Sequence, residues 1–331
     1  MTSRTDTAAT SHAGDTDNAG GHSRMWHAAW RQHRSWVIGT LALAALGAAV
    51  LVAAVAFVPD CASTACWEKP GATCGVEPAK TLWKLVRAGL QVLPVLGGVL
   101  LGAITFGPDV ENRTDVYALT QGVSRFRWWA VKVVTTGAPV FIAFALLGLA
   151  TLWVVNVSDN SVTSMARLNS PGFDILGLTP ATRFLVAYAA AAAAALIWRT
   201  VGGVVAGLVV AGIVVAVGTL LQPVVVPHQR DVIPIKVWLA DNTGESNAVS
   251  SAYGWGGYAD AAGRDVDMSR TDCGQGDFSA CLTAAGVTDR VETYVADAEY
   301  PRMMLTISGL NLLFAGALLG VGARALRRRD L

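Results

Sequence analysis

The sequence predicts an all-α, polytopic membrane protein with six transmembrane helices. Of its 331 residues, 53% are hydrophobic and only 15% are charged, whereas a typical soluble domain carries roughly 25% charged residues. Several apolar stretches approach the length of about 20 residues that a helix needs to cross roughly 30 Å of hydrocarbon. These long Ala, Val and Leu runs exclude a disordered chain and a soluble multidomain fold. The net charge of +1 indicates no basic surface for nucleic acids.

The region before the first apolar stretch divides into two parts. Residues 1–24 are mostly small or polar, which predicts a disordered cytoplasmic tail. They lack the order of basic, apolar and small residues that marks a signal peptide, so we expect the tail to be retained. Residues 25–36 mix Trp26, Trp30 and Trp36 with basic side chains, which favours an interfacial helix. An ordinary flank of the first span fits these residues equally well.

Six apolar segments are predicted to span the membrane. They are residues 37–58, 90–106, 133–155, 184–198, 201–221 and 303–323. The first five lie within 37–221, and the sixth lies within 301–331, which ends in a basic cytoplasmic stretch. Only Arg199 and Thr200 separate the fourth segment from the fifth, which predicts a tight hairpin. One long, broken helix is the alternative.

Basic residues beside the predicted spans set the orientation. With six spans, one side receives Arg31, Arg34, Arg125, Arg127, Lys132, Arg199, Arg327, Arg328 and Arg329. The excess of Lys and Arg in cytoplasmic loops assigns this side, and both termini, to the cytoplasm. Lys80, Lys84 and Arg87 fall on the opposite side and weaken the assignment without reversing it.

All the cysteines fall in predicted extracytoplasmic loops, where disulfides persist. They are Cys61, Cys66, Cys74, Cys273 and Cys281. Cys273 and Cys281 are the favoured disulfide pair, within the predicted extracytoplasmic segment 222–300. The connectivity of the other three is left open, and their spacing does not match that of a structural zinc site.

The predicted inner loop, residues 108–132, carries the strongest functional pattern. Pro108, Asp109 and Glu111 suit the first turn of a short helix, and Gly122 would end it. Ser124 is a candidate N-cap for the next helix. A short polar helix between two spans can transmit force from a soluble partner to the bundle. A basic flank without a partner is the alternative.

Many residues of this loop follow one pattern. They are Asp109, Glu111, Thr114, Thr120, Gln121, Val123, Ser124, Arg125, Arg127, Trp128 and Lys132. This pattern resembles the permease subunits of type 2 ABC exporters, in the form common in actinobacteria. Arg113 stands where that family usually has Gly, which puts the local turn in question. The resemblance covers most of residues 36–331 and includes Arg199-Thr200 and Tyr300-Pro.

The resemblance implies a permease subunit of an ATP-binding cassette exporter in the bacterial plasma membrane, moving an unidentified substrate. Its partners would be a separate ATPase subunit and a second permease copy or sister permease. The residues implied in coupling to the ATPase are Asp109, Glu111, Thr114, Gln121, Arg125 and Arg127. The chain contains no phosphate-binding Gly-rich motif and no zinc-protease or serine-hydrolase motif, so we expect no catalytic, cofactor or metal site. A non-transporting membrane sensor or accessory protein with an extracytoplasmic ligand-binding segment is the alternative.

Small and polar residues inside the spans predict how the helices pack. Glycines spaced four residues apart predict close helix contacts; the pairs are Gly98 with Gly102, Gly203 with Gly207, and Gly316 with Gly320. A substrate path along them is the alternative. Asn311 is the clearest polar residue deep in a span, and we expect it to face the bundle interior. It would either line a pathway or bond a neighbouring helix.

Overall fold

The computed structural model is a helical bundle that carries a small antiparallel sheet. It describes residues 31, 34–35, 37–51, 53, 76–112, 124–157, 172–225, 229–237, 255–268, 278–294 and 297–328. The bundle helices are α1 (Val37–Leu51), α2 (Val76–Glu111), α3 (Arg125–Val157), α4 (Gly172–Ile175), α5 (Thr179–Val225) and α7 (Tyr300–Arg328). The sheet region contains β1 (Gln229–Pro234), β2 (Trp255–Ala259), β3 (Asp265–Val266), α6 (Phe278–Ala284) and β4 (Asp289–Tyr294).

Four helices are long and apolar enough to cross a membrane. Their apolar parts are Trp83–Glu111, Arg125–Asn156, Thr179–Leu221 and Tyr300–Arg328. The helix Val37–Leu51 is apolar but shorter within the described residues. The composition-based prediction of a mostly helical, multi-pass membrane protein is therefore confirmed.

Helix α5 is a hairpin. Trp198 (φ −117°, ψ 15°) and Arg199 (φ 66°, ψ −171°) leave helical geometry. A β-carbon built on Gly203 would lie 2.8 Å from the Ala195 β-carbon, and one on Gly207 would lie 2.9 Å from that of Ala191. In a straight helix these partners would be more than about 10 Å apart along the axis. The chain therefore turns back at Arg199, as the tight-hairpin prediction requires, and the two arms of α5 pack against each other.

Glycines allow α2 to lie directly against the first arm of α5. A β-carbon on Gly98 would lie 2.5 Å from the Phe184 carbonyl oxygen, and one on Gly102 would lie 3.0 Å from the Ala191 β-carbon. The facing surface of α5 is a buried alanine run. The small-residue prediction thus holds for Gly98, Gly102, Gly203 and Gly207. It fails for Gly316 and Gly320, which have no described atom within 4 Å of a β-carbon position.

Helices α3 and α7 both pack on this α2–α5 unit and also contact each other. Phe144 of α3 lies 5.5 Å from Phe184 of α5, measured between ring centroids. Gly322 of α7 lies against Ala193. We call the end of the bundle that contains Arg125, Arg199 and Arg327 the basic end. The opposite end, where α5 leads to β1 and β4 leads to α7, is the sheet end.

The sheet has strand order β1-β4-β2-β3, and all pairs are antiparallel. Leu282 of α6 packs with Ile235 and Val287 to form a small separate core. Asp260 accepts hydrogen bonds from the backbone N–H groups of Ala262 and Arg264, both at 2.9 Å, in the turn between β2 and β3. These bonds and the Arg264 guanidinium hold the pKa of Asp260 below its usual value. The all-α prediction missed this sheet.

The close α2–α5 contact predicts a position-specific effect of added methyl groups. Gly102→Ala forces a β-carbon into the α5 backbone and should destabilise the bundle by about 1 to 3 kcal/mol. Gly97→Ala is the matched control, because no atom lies within 4 Å of its β-carbon position. Thermal unfolding of the purified chain in detergent, followed by tryptophan fluorescence, should show a lower Tm for Gly102→Ala alone. Equal Tm values for the two variants would refute the close contact.

Candidate functional site

The basic end of the bundle brings together charged residues from four helices. Their apolar support is a cluster in which Trp128 of α3 meets Phe106 of α2 edge to face, with ring centroids 5.9 Å apart. Leu196 of α5 and Leu326 of α7 complete this cluster. This apolar cluster thus fixes the positions of the helices that carry the charged side chains.

The structure corrects the predicted start of a helix at Pro108. Helix α2 continues through Pro108 to Glu111, and the Asn112 N–H donates to the Pro108 carbonyl oxygen at 2.9 Å. Proline removes one backbone donor, which membrane helices tolerate where neighbouring groups compensate. Asp109 and Glu111 therefore lie in the last turn of α2 and do not begin a helix of their own. Within the predicted coupling helix 108–124, residues 113–123 lie outside the described residues.

Asp109 forms a buried ion pair with Lys132 of α3. The Lys132 ammonium donates to the Asp109 carboxylate, and the two side chains are only 7% and 12% exposed, respectively. The ammonium also lies 3.4 Å from the Thr105 carbonyl oxygen and 4.8 Å from the centroid of the Trp128 ring. A buried charge without its partner is strongly unfavourable. This pair therefore holds α2 and α3 in one relative position.

A short polar network continues from this ion pair into the bundle. The hydroxyls of Thr136 on α3 and Tyr188 on α5 are 2.8 Å apart, and the Thr136 hydroxyl also lies 2.8 Å from the Lys132 carbonyl oxygen. Tyr188 is fully buried. Through Lys132, this network joins α2, α3 and α5 by hydrogen bonds. Its charged members are Lys132 and Asp109.

Glu111 connects α2 to the hairpin turn of α5. Its Oε1 accepts a hydrogen bond from the Thr200 backbone N–H at 3.1 Å, and Gly107 lies directly against Thr200. The acceptor satisfies a free N–H at the start of the second arm, as a capping side chain does. Arg199 has φ 66°, a conformation that costs about 1 to 3 kcal/mol for a residue with a β-carbon. The contacts from α2 hold this strained turn in place.

The start of α3 is fixed by capping and by α7. The Ser124 hydroxyl accepts a hydrogen bond from the Arg127 N–H at 3.3 Å, so the predicted N-cap is present. Arg125 Nη1 donates to the Leu326 carbonyl oxygen at 3.3 Å. Nε and Nη2 of Arg127 are buried and have no hydrogen-bond partner in the part of the chain that the structure describes. Arg125 thus binds within the bundle, whereas Arg127 retains unused donors.

The bundle also matches a known family. A family model described as ABC-2 membrane transporter related matches residues 35–226. The chain belongs to this family. No curated protein and no solved structure matches the chain. The matched range ends where the sheet region begins, so the family assignment rests on the first five predicted spans and the loops between them.

The other predicted site residues of this ABC-2 family member lie partly outside the described residues and partly within the bundle and the sheet region. Thr114 and Gln121 lie outside the described residues. Cys281 is disulfide-bonded, but Cys273 lies outside the described residues, so the pairing stays a prediction. Asn311 of α7 is buried and its Nδ2 donates to the Thr182 hydroxyl of α5 at 3.2 Å. It bonds a neighbouring helix, which is one of its two predicted roles.

Sequence reasoning missed the partners of the charged residues. Tyr188 and Thr105 were not singled out, and Thr200 was noted only as part of the hairpin turn and the family resemblance, although Thr105 and Thr200 contribute to the basic-end contacts. A second buried ion pair, Asp174 with Arg183, was also missed. Its signal was present, because Arg183 lies at the start of an apolar run, and charges there usually face a protein partner.

Outside the basic end, the described residues hold an apolar cavity but no metal-binding cluster. Within them, no group of three or more His, Cys, Asp or Glu side chains could hold a metal ion. An apolar cavity of about 280 Å³ lies between α1, α2 and α3, and its lining includes Gly47, Leu90 and Leu147. The lining is almost entirely hydrocarbon, so the cavity offers apolar contact without a polar recognition group.

The buried Asp109–Lys132 pair predicts non-additive mutational effects. Lys132→Met leaves the Asp109 carboxylate buried without its cation and should destabilise the bundle by about 3 to 5 kcal/mol. The double variant Asp109→Leu/Lys132→Met removes both charges and should recover most of that loss. Chemical unfolding of the three proteins in detergent measures both values. A double variant less stable than Lys132→Met would show that the pair does not carry this coupling.

Proposed function

We propose that this chain is the transmembrane permease subunit of an ATP-binding cassette exporter, in the bacterial plasma membrane, with its substrate unidentified. It has no catalytic role of its own, and ATP hydrolysis takes place in a separate ATPase subunit. The family match and the four long apolar helices support this proposal. The sensor alternative lacks comparable support, because the matched family is a transporter family.

The observation that carries the proposal is the set of contacts at the basic end. Asp109–Lys132, Glu111–Thr200 and Arg125–Leu326 join α2, α3, α7 and the hairpin turn of α5 at the basic end. A force applied to this end therefore reaches all four helices together. Such an arrangement suits a subunit whose helices are driven from one side of the membrane.

We further propose six membrane crossings with the basic end in the cytoplasm. The crossings are α1, α2, α3, the two arms of α5, and α7. The concentration of Arg and Lys at the basic end supports this orientation. The disulfide at Cys281 supports an extracytoplasmic position for the sheet region, because disulfides persist in oxidising compartments.

The structure changes the roles proposed for the coupling residues. Asp109 and Glu111 act inside the permease, since their carboxylates already bind Lys132 and Thr200. Contact with the ATPase is assigned to residues 113–123, which include Thr114 and Gln121. The motion then passes from the loop to the last turn of α2 and on to the α5 hairpin. The permease pairs with a second copy or a sister permease.

Purification of the complex tests the proposed function. The tagged full chain, isolated from its native membranes in mild detergent, should bring with it a subunit that contains a nucleotide-binding motif and hydrolyses ATP. In the reconstituted complex, Glu111→Lys should abolish stimulated ATP hydrolysis, because an ammonium cannot accept the Thr200 N–H and places positive charge at a helix N-terminus. Expression and membrane insertion should be unchanged.

Glu111→Gln is the matched control for the lysine variant. Its amide oxygen can still accept the Thr200 N–H, so most of the stimulated hydrolysis should remain. Normal hydrolysis in Glu111→Lys would show that this contact does not transmit the ATPase motion. Recovery of the chain without any ATPase subunit would contradict the permease proposal itself.

A further inference from the structure

A short buried segment occupies the sheet end of the bundle. Phe173, Ile175 and Leu176 are fully buried in residues 172–178, which we call the end segment. Its backbone contacts α3, since the Gly177 N–H donates to the Gly148 carbonyl oxygen at 2.9 Å. The Phe173 ring meets Tyr300 of α7 with centroids 6.2 Å apart. The end segment thus lies between α3, α5 and α7, and its apolar side chains also pack in one cluster with Trp83 of α2 and Leu51 of α1.

Glycine is required where the end segment touches its neighbours. Gly177 has φ 62°, and a β-carbon there would collide with the Met304 sulfur of α7. A β-carbon on Gly148 would collide with the Gly177 carbonyl oxygen. These contacts are short-range packing and one backbone hydrogen bond, so a small displacement of α3 or α7 would release the segment on that side.

One ion pair ties the end segment to α5. Arg183 Nη2 donates to Asp174 Oδ1 at 2.6 Å, and the two side chains are 8% and 6% exposed, respectively. The removal of two charges from water is costly, and well-packed apolar residues would often stabilise the same position better. An ion pair differs from such packing because both partners regain hydration when they separate. The contact can therefore exist in a closed and an open state.

Polar groups lie on α5 and α7 beside the end segment. The hydroxyls of Thr179 and Ser308 are fully buried and have no hydrogen-bond partner among the described residues. Asn311 and Thr182 bond each other on the same two helices. We call these four residues the α5–α7 polar seam. Buried hydroxyls without partners are unfavourable in the closed state and would gain bonds on contact with water.

We propose that the end segment closes the transport route at the sheet end, with Asp174–Arg183 as its lock, and that opening exposes the α5–α7 polar seam. This inference rests on the proposed permease function. It assigns the two buried ion pairs different roles: Asp109–Lys132 holds the basic end, and Asp174–Arg183 controls access at the other end. Breaking the lock from the aspartate side leaves Arg183 buried without its anion, which favours the open, hydrated state.

Cysteine accessibility tests the proposal on the full chain in lipid nanodiscs, without the ATPase. Ser308→Cys supplies the probe, a membrane-impermeant maleimide is the reagent, and mass spectrometry of the labelled peptide separates this site from the native cysteines. Asp174→Asn should raise the labelling rate of the probe by about tenfold or more, because the unpaired Arg183 drives opening. Asp174→Leu/Arg183→Met removes both charges and should label at the wild-type rate.

Two controls separate opening from general loosening. Asp109→Asn breaks the ion pair at the basic end and should leave labelling of the probe near the wild-type rate. A cysteine at the fully buried Ala189 should stay unlabelled in the Asp174→Asn background. Unchanged labelling of Ser308→Cys in Asp174→Asn, or equal labelling at the Ala189 position, would overturn the proposal. The labelling experiment contains no ATPase. A negative labelling result therefore contradicts only the gating proposal, and a negative ATPase assay contradicts only the permease proposal.

Discussion

Direct contact between α2 and the first arm of α5 is the constraint on which the rest of the structure depends. Gly98 and Gly102 bring the two backbones together, so no side chain separates them. The same register places Gly107 against Thr200, which puts Glu111 beside the first N–H of the second arm. It also places Tyr188 at the same level along the bundle axis as Thr105 and Thr136. The hairpin, the polar network and the basic end all follow from this one approach.

The two kinds of contact in the bundle have different mechanical consequences. Glycine and alanine packing between α2 and α5 depends on continuous shape match, so these helices are expected to move as one body. Helix α3 is held to that body by Lys132 at the basic end and, through Gly148 and the end segment, by Asp174 at the sheet end. Ion pairs can separate and re-form with hydration. The permease account therefore makes the sheet end of α3 the part that moves relative to the α2–α5 unit, while Asp109–Lys132 holds its basic end.

Local sequence signals predicted the features that depend on local chemistry. The apolar runs, the Ser124 cap and the tight turn at Arg199-Thr200 each follow from residues close together in the chain. Gly98 and Gly203 pack as predicted, whereas Gly316 does not, because spacing alone does not say which face of a helix meets a neighbour. Cys281 is disulfide-bonded, as expected for one member of the predicted pair.

Features that depend on distant partners could not be predicted in this way. The local sequence at Pro108 and Asp109 is typical of a helix start. The residue that stabilises Asp109 is Lys132, which lies on another helix and is not visible in the local pattern. The end segment is short, and its burial comes from α3, α5 and α7 together. The sheet was missed because residues 289–294 do not alternate polar and apolar side chains, so the local pattern does not indicate a strand.

The central claim is that α2 and α5 form one body and that the sheet end of α3 moves against it. Electron paramagnetic resonance can measure distances between bioorthogonal spin labels in the complex of the permease with its ATPase. Measurements with and without ATP test this claim. One label pair joins Leu100 of α2 to Leu208 of α5, and the other joins Ile142 of α3 to Leu208; all three positions are exposed on the bundle surface. The account predicts an unchanged α2–α5 distance and an α3–α5 distance that shifts by several ångström on ATP binding. An α2–α5 distance that changes as much as the α3–α5 distance would contradict it.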